Sequence, residues 1–184
     1  MKQSIYGLVL FIFLALPPVA ELLESIMIIH MHMQMPLLVA AGCLMARALQ
    51  LRQAAFLDKW NRTGVPGMLL FLIVTAYWML PRAMDEAIAS HYAELFKFIS
   101  LPFLAGVPLR DSWPRLSANV KHASLLLYTI LFAVMGWLYI QAPVQLCNNY
   151  LLIEQITLGW GFLTMAACLF LYVVYALFTL KPST

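Results

Sequence analysis

Residues 153–180 read IEQITLGWGFLTMAACLFLYVVYALFTL, and Glu154 is the one charged side chain among them. A helix needs about 20 consecutive, mostly apolar residues to cross the hydrocarbon core of a bilayer. This segment exceeds that length, so it predicts a transmembrane helix and decides the class of the fold.

Five further apolar segments precede it, at about residues 5–20, 25–46, 65–80, 87–107 and 123–140. Over the whole chain 64% of the residues are hydrophobic and 10% are charged, against about 25% charged in a soluble domain. No soluble fold has enough interior for this much apolar surface, so the lipid bilayer is expected to cover most of it. The sequence therefore predicts an all-α fold, a polytopic transmembrane bundle of about six helices, with residues 1–184 forming a single integral membrane domain.

Two of these segments have features that affect their boundaries. The first follows Met1 and Lys2, and we interpret it as a retained helix rather than a cleaved signal peptide, because its basic region is thin and no clear cleavage site follows. The fourth contains Glu94 and Lys97 and has Pro102 near its end, so we expect it to be kinked or partly interfacial.

The distribution of basic residues predicts the orientation. With an even number of helices, nine of the 11 Lys and Arg residues fall on one side, namely Lys2, Arg47, Arg52, Lys59, Arg62, Arg110, Arg115, Lys121 and Lys181. An excess of Lys and Arg marks the cytoplasmic side, so both termini are predicted to be cytoplasmic and the protein to lie in the inner (cytoplasmic) membrane of the cell. These residues are spread among loops, which argues against nucleic acid as a partner.

The most unusual stretch is His30-Met31-His32-Met33-Gln34-Met35-Pro36 in the second segment. Imidazole and thioether are ligands that suit copper, and thioether favours Cu(I). Residues two apart on a helix point to nearly opposite sides, so His30 and His32 are not expected to share one metal ion. The alternative is structural, because methionine often fills gaps in apolar cores and an intramembrane histidine often bonds to a neighbouring helix.

The predicted topology gathers further candidate side chains in the outer half of the bundle. Ionisable residues inside a membrane are functional hypotheses by default, and Glu94 and Lys97 have the i, i+3 spacing of a structural ion pair as the alternative. The resulting candidate metal ligands are His30, His32, Met33, Met35, Met79, His91 and Glu154. The three cysteines lie far apart, and no disulfide framework is expected.

Three blocks of the sequence resemble the CtaG family of bacterial membrane proteins, which are associated with copper insertion and the assembly of haem-copper cytochrome oxidases. Residues 30–38 (HMHMQMPLL) are similar to that family's H-M-x-x-H-M helix, and residues 154–161 (EQITLGWG) to its D-Q-x-x-x-G motif. Residues 77–87 (YWMLPRAMDEA) and 94–98 (ELFKF) resemble its W-H-x-P-x-x-x-D-x-A segment and the following E-H pair. Gln34 and Met79 stand where that family usually has histidine, and Glu154 where it has aspartate.

The resemblance implies copper handling or assembly of a haem-copper respiratory oxidase, with copper bound near the extracytoplasmic face and oxidase subunits as partners. The main alternative is a non-catalytic accessory subunit of a respiratory or other membrane redox complex, in which the metal site is degenerate. A haem- or quinone-binding enzyme or electron carrier, and a transporter, are further alternatives. No catalytic motif is recognised, so we predict that the protein is not an enzyme.

Overall fold

A computed structural model describes residues 2–179 of the chain, and for residues 51–57 it describes the backbone alone. Lys181 and the side chain of Arg52, both assigned above to the cytoplasmic side, lie outside the described parts. Residues 2–179 contain no strand. Their helices, in chain order, are α1 (Lys2–Ala15), α2 (Pro17–Glu24), α3 (27–60), α4 (Val65–Met79), α5 (Pro81–Ala89), α6 (His91–Ser112), α7 (Ala118–Gln141) and α8 (Leu152–Thr179).

The described helices form a multi-pass membrane bundle. By length and composition, α3, α6, α7 and α8 are each able to span a membrane, and the bent pairs α1/α2 and α4/α5 bring the number of crossings to as many as six. The predicted all-α, polytopic fold is therefore confirmed. Six crossings place residues 2 and 179 on the same side of the membrane, and which side this is stays a prediction.

The chain bends sharply at two places, each time at a residue that precedes a proline. Leu16 and Leu80 are extended, with ψ of 127° and 134°, and each precedes a proline that begins the next helix. A residue before proline avoids the α-helical region, whereas proline suits the first turn of a helix because its missing N–H has no partner there. As a result α2 departs from the direction of α1 by 71° and α5 from that of α4 by 73°.

Two π-helical segments interrupt α3 and α6, at His30–Gln34 and at Ser100–Gly106. Pro36 follows the first and Pro102 lies inside the second, and a wider turn accommodates the backbone bond that proline removes. Both helices therefore continue past their prolines. Helix α6 continues past Pro102 to Ser112, beyond the predicted end at residue 107, and α3 runs well beyond the predicted end at residue 46.

Helix α3 lies between α1 and α6 and packs closely against both. A Cβ atom on Gly42 would overlap the backbone of Pro102, and a Cβ atom on Gly106 would overlap the carbonyl of Val39. Small residues let transmembrane helices approach until their backbones touch. The Cys43 thiol also donates to the Gly106 carbonyl at 3.1 Å, so this crossing fixes α6 against α3.

Contacts at the two ends of the bundle agree with alternating crossings. At one end, Asn61 Nδ2 after α3 donates to Asp111 Oδ2 at the end of α6, at 2.8 Å. At the other end, Asn149 Nδ2 between α7 and α8 donates to Asp85 Oδ1 in α5, at 2.8 Å. The first end carries most of the basic loops and is called the inner end below, and the second is called the outer end.

The orientation is testable by labelling single cysteines in a variant that lacks Cys43, Cys147 and Cys168. Val144, between α7 and α8, and Arg62, between α3 and α4, are both exposed. We expect Val144→Cys to react with a membrane-impermeant maleimide in intact cells and Arg62→Cys to react only after permeabilisation. The reverse pattern would contradict the assignment of the inner end to the cytoplasm.

Candidate functional site

A cluster of buried polar side chains lies near the outer end, where α2, α3 and α6 meet. Lys97, His30 and Gln34 are fully buried. The Lys97 ammonium donates to Glu24 Oε1 at 2.5 Å, and it lies 3.4 Å from both His30 Nε2 and Gln34 Oε1. Three N–H groups thus face three acceptor atoms, which is the arrangement that an ammonium inside a membrane requires.

Tyr150, in the segment between α7 and α8, completes this cluster and fixes the proton positions on His30. Its hydroxyl donates to the backbone carbonyl of Glu24 at 2.7 Å and lies 2.8 Å from His30 Nδ1. Burial, together with the Glu24 carboxylate, raises the pKa of the Tyr150 hydroxyl, so the hydroxyl keeps its proton at neutral pH. His30 Nδ1 therefore carries hydrogen and donates to the Tyr150 oxygen, and His30 Nε2 is the acceptor that faces Lys97.

These five residues, Glu24, His30, Gln34, Lys97 and Tyr150, are called the Lys97 cluster. Within it both ring nitrogens of His30 have protein partners, and a cation already faces Nε2. That His30 binds a metal ion stays a prediction, and it has no support from these contacts. The alternative pairing of Glu94 with Lys97 is wrong, because Glu94 Oε2 instead lies 3.5 Å from His91 Nδ1.

A cavity of about 250 Å³ is lined by residues of α3, α4, α6, α7 and α8. It is called the His32 cavity. Most of its lining is aliphatic or aromatic, but one imidazole and four thioethers also line it: His32, Met31, Met35, Met79 and Met165. Pro36 and Met165 are exposed lining residues, so the rim of the cavity faces the lipid side of α3 and α8.

His32 is held against α8 with its ring nitrogens unsatisfied. Its ring centroid lies 4.9 Å from that of Phe162. A Cβ atom on Gly161 would lie 3.2 Å from His32 Nε2, so the absence of a side chain at Gly161 leaves room for the ring. Both ring nitrogens are buried and have no hydrogen-bond partner in the part of the chain that the structure describes. Leaving a buried polar atom unpaired costs about 1–3 kcal/mol, and a bound ion or water can offset this cost by supplying the missing partner.

The cavity brings together three of the predicted metal ligands, His32, Met35 and Met79, from α3 and α4. It also contains two residues that were not predicted, Met31 and Met165. Met31 was recognisable, because it lies four positions before Met35 and thus on the same helix face. Met165 had no local signal, since a methionine in an apolar segment is indistinguishable from a core residue.

The other predicted ligands lie elsewhere. Met33 is exposed, and His91 is exposed beside Glu94. Glu154 Oε2 accepts from the backbone N–H of Leu151 at 3.0 Å and thereby caps the start of α8. Within residues 2–179 no three His, Cys, Asp or Glu side chains are grouped to hold a metal ion.

No protein-family model, curated protein or solved structure matches the chain. The resemblance to the CtaG family therefore stays a prediction. The two features that bear on function are the Lys97 cluster, in which each side chain has a hydrogen-bond partner, and the His32 cavity, in which the imidazole has none among the described residues.

Removing one charge of the Lys97 cluster should destabilise the bundle. Lys97→Met leaves the Glu24 carboxylate without its partner, and breaking a buried ion pair in this way costs about 3–5 kcal/mol. We expect a lower thermal unfolding midpoint in detergent for Lys97→Met, and partial recovery in Lys97→Met/Glu24→Gln, which leaves no unpaired charge.

The matched control is Arg82→Met, since Arg82 is also paired with a glutamate but its side chain is 90% exposed. Its midpoint should equal that of the unmodified protein. A Lys97→Met variant as stable as this control would show that the cluster does not hold the helices together.

Proposed function

We propose that this membrane protein binds monovalent copper in the His32 cavity and serves copper handling or the assembly of a haem-copper oxidase in the cytoplasmic membrane. One observation carries the proposal. His32, whose ring nitrogens have no hydrogen-bond partner among the described residues, lines a cavity that four methionine side chains also line. Imidazole and thioether are ligands that suit copper, and soft thioethers select Cu(I).

The charge of the lining also favours a monovalent ion. Among the described residues, no carboxylate lines the cavity, so the available ligands are neutral. Moving a singly charged ion from water into a medium of low dielectric costs about 20 kcal/mol in the idealised case, and the cost rises with the square of the charge. Cu(I) on neutral ligands is therefore far less costly to hold here than Cu²⁺ or Zn²⁺.

The size of the cavity favours a small occupant. Its volume of about 250 Å³ is below the roughly 300–1,000 Å³ of pockets that hold drug-sized ligands. A single ion with its protein ligands fits this space better than a haem does. This supports copper over the alternative of a haem-binding electron carrier.

The position of the cavity suits transfer rather than catalysis. Thioethers are neutral ligands without a proton to lose, so their bonds to Cu(I) exchange without any change of protonation. The exposed rim at Pro36 and Met165 gives an ion a way out towards another membrane protein, such as an oxidase subunit. We assign no catalytic residue.

A second candidate function rests on the Lys97 cluster. In this cluster His30 and Gln34 belong to an ion-pair network that leaves no place for a metal ion. Both residues lie in the stretch that resembles the CtaG family's H-M-x-x-H-M helix. Such an arrangement favours a non-catalytic accessory subunit of a respiratory complex. Purified protein that takes up no Cu(I) but co-purifies with a haem-copper oxidase would support this candidate and contradict the first.

Cu(I) affinity of methionine variants tests the first proposal. Met35 lines the cavity and Met33, two residues away, is exposed, so Met35→Leu and Met33→Leu form a matched pair of similar volume. We expect Met35→Leu and His32→Phe to weaken Cu(I) binding by at least about tenfold, since even second-shell partners of a metal contribute 10–100-fold. The affinity is measured by competition with a chromophoric Cu(I) chelator.

Met33→Leu and His91→Ala should bind Cu(I) as tightly as the unmodified protein, because neither side chain lines the cavity. Equal affinity for Met35→Leu and Met33→Leu, together with full binding by His32→Phe, would remove the cavity as the copper site.

A further inference from the structure

Three side chains from two helices converge on a single point that the Lys97 nitrogen occupies. They contribute a carboxylate oxygen of Glu24 at 2.5 Å, the unprotonated Nε2 of His30 at 3.4 Å and the amide oxygen of Gln34 at 3.4 Å. Carboxylate, imidazole and amide oxygen are the ligand types that proteins use to bind divalent metal ions. The three groups are thus of the types that bind a metal ion, but they surround the Lys97 ammonium.

We infer that Glu24, His30 and Gln34 form a cation site inside the membrane and that the Lys97 ammonium is its built-in occupant in place of a metal ion. The site is shaped by the fold. The Pro17 bend brings α2, and with it Glu24, across the outer end, and the π-helical segment of α3 carries both His30 and Gln34. Each of the three groups presents an acceptor atom, and none presents a hydrogen, towards the nitrogen.

A lysine has two physical advantages over a bound metal ion at this position. Its single charge balances the single carboxylate of Glu24, so the buried site is neutral, whereas a divalent ion would leave a net charge in the bilayer. Its tether to α6 also lets the cation join α2 and α3 to α6 at all times, independently of metal supply.

This inference is independent of the copper proposal, because the two sites share no residue. His30 and His32 lie two positions apart, and His30 belongs to the Lys97 cluster whereas His32 lines the His32 cavity. The two proposals are tested by different variants. His32→Phe tests Cu(I) binding at the cavity, and variants at position 97 test the lysine-occupied site.

The test is to remove the ammonium and offer Zn²⁺ instead. We expect Lys97→Ala to unfold at a lower temperature than the unmodified protein, and Zn²⁺ to raise its midpoint by several degrees while leaving the midpoint of the unmodified protein unchanged. The control Lys97→Ala/His30→Gln lacks one ligand, and Zn²⁺ should not raise its midpoint. An equal response of both variants to Zn²⁺, or none in Lys97→Ala, would overturn the inference.

A measurement on the unmodified protein covers the case in which Lys97→Ala does not fold. In ¹⁵N NMR spectra of histidine-labelled protein, assigned with His30→Gln, His30 should be neutral, with hydrogen on Nδ1 and none on Nε2. Hydrogen on Nε2 would mean that His30 does not accept from Lys97, and the cation site would not exist as described.

Discussion

Inside the bilayer no water is available to satisfy a polar group, so each such group needs a partner within the protein. The Lys97 ammonium meets this requirement with acceptors from α2 and α3, and Tyr150 extends the network to the segment before α8. This requirement explains the arrangement of the elements that surround Lys97 in the outer half of the bundle. The bend at Pro17, the π-helical segment of α3 and the packing of Tyr150 all place an acceptor or donor where this buried charge needs one.

His32 is the exception to the same constraint. It lies in the same π-helical segment as His30, yet both of its ring nitrogens are buried without a partner among the described residues. The two histidines therefore differ in what they offer chemically. Both ring nitrogens of His30 have protein partners, whereas those of His32 have none among the described residues, and His32 lines a cavity together with four methionines. The copper hypothesis therefore rests on His32 rather than on His30, the histidine that matches the family motif.

Much of the fold was predictable, because the length of an apolar segment and the placement of basic residues are direct consequences of the bilayer. The opposite directions of His30 and His32 followed from helical periodicity. The pairing of Lys97 with Glu24 was not predictable, because the two residues are 73 positions apart and meet only through the bend after α1. The fourth segment was expected to reach residue 107, but the π-helical segment that accommodates Pro102 within α6 was not predicted. Met165 reaches the cavity from α8 through tertiary packing alone.

In the proposed copper site, imidazole nitrogen and thioether sulfur of the His32 cavity hold Cu(I). Copper K-edge X-ray absorption of the Cu(I)-loaded protein tests it most directly, because the spectrum distinguishes sulfur from nitrogen and oxygen neighbours. We expect one imidazole nitrogen and at least two sulfur neighbours, with the nitrogen contribution lost in His32→Phe. A first shell made only of nitrogen and oxygen, or a spectrum unchanged in His32→Phe, would contradict it.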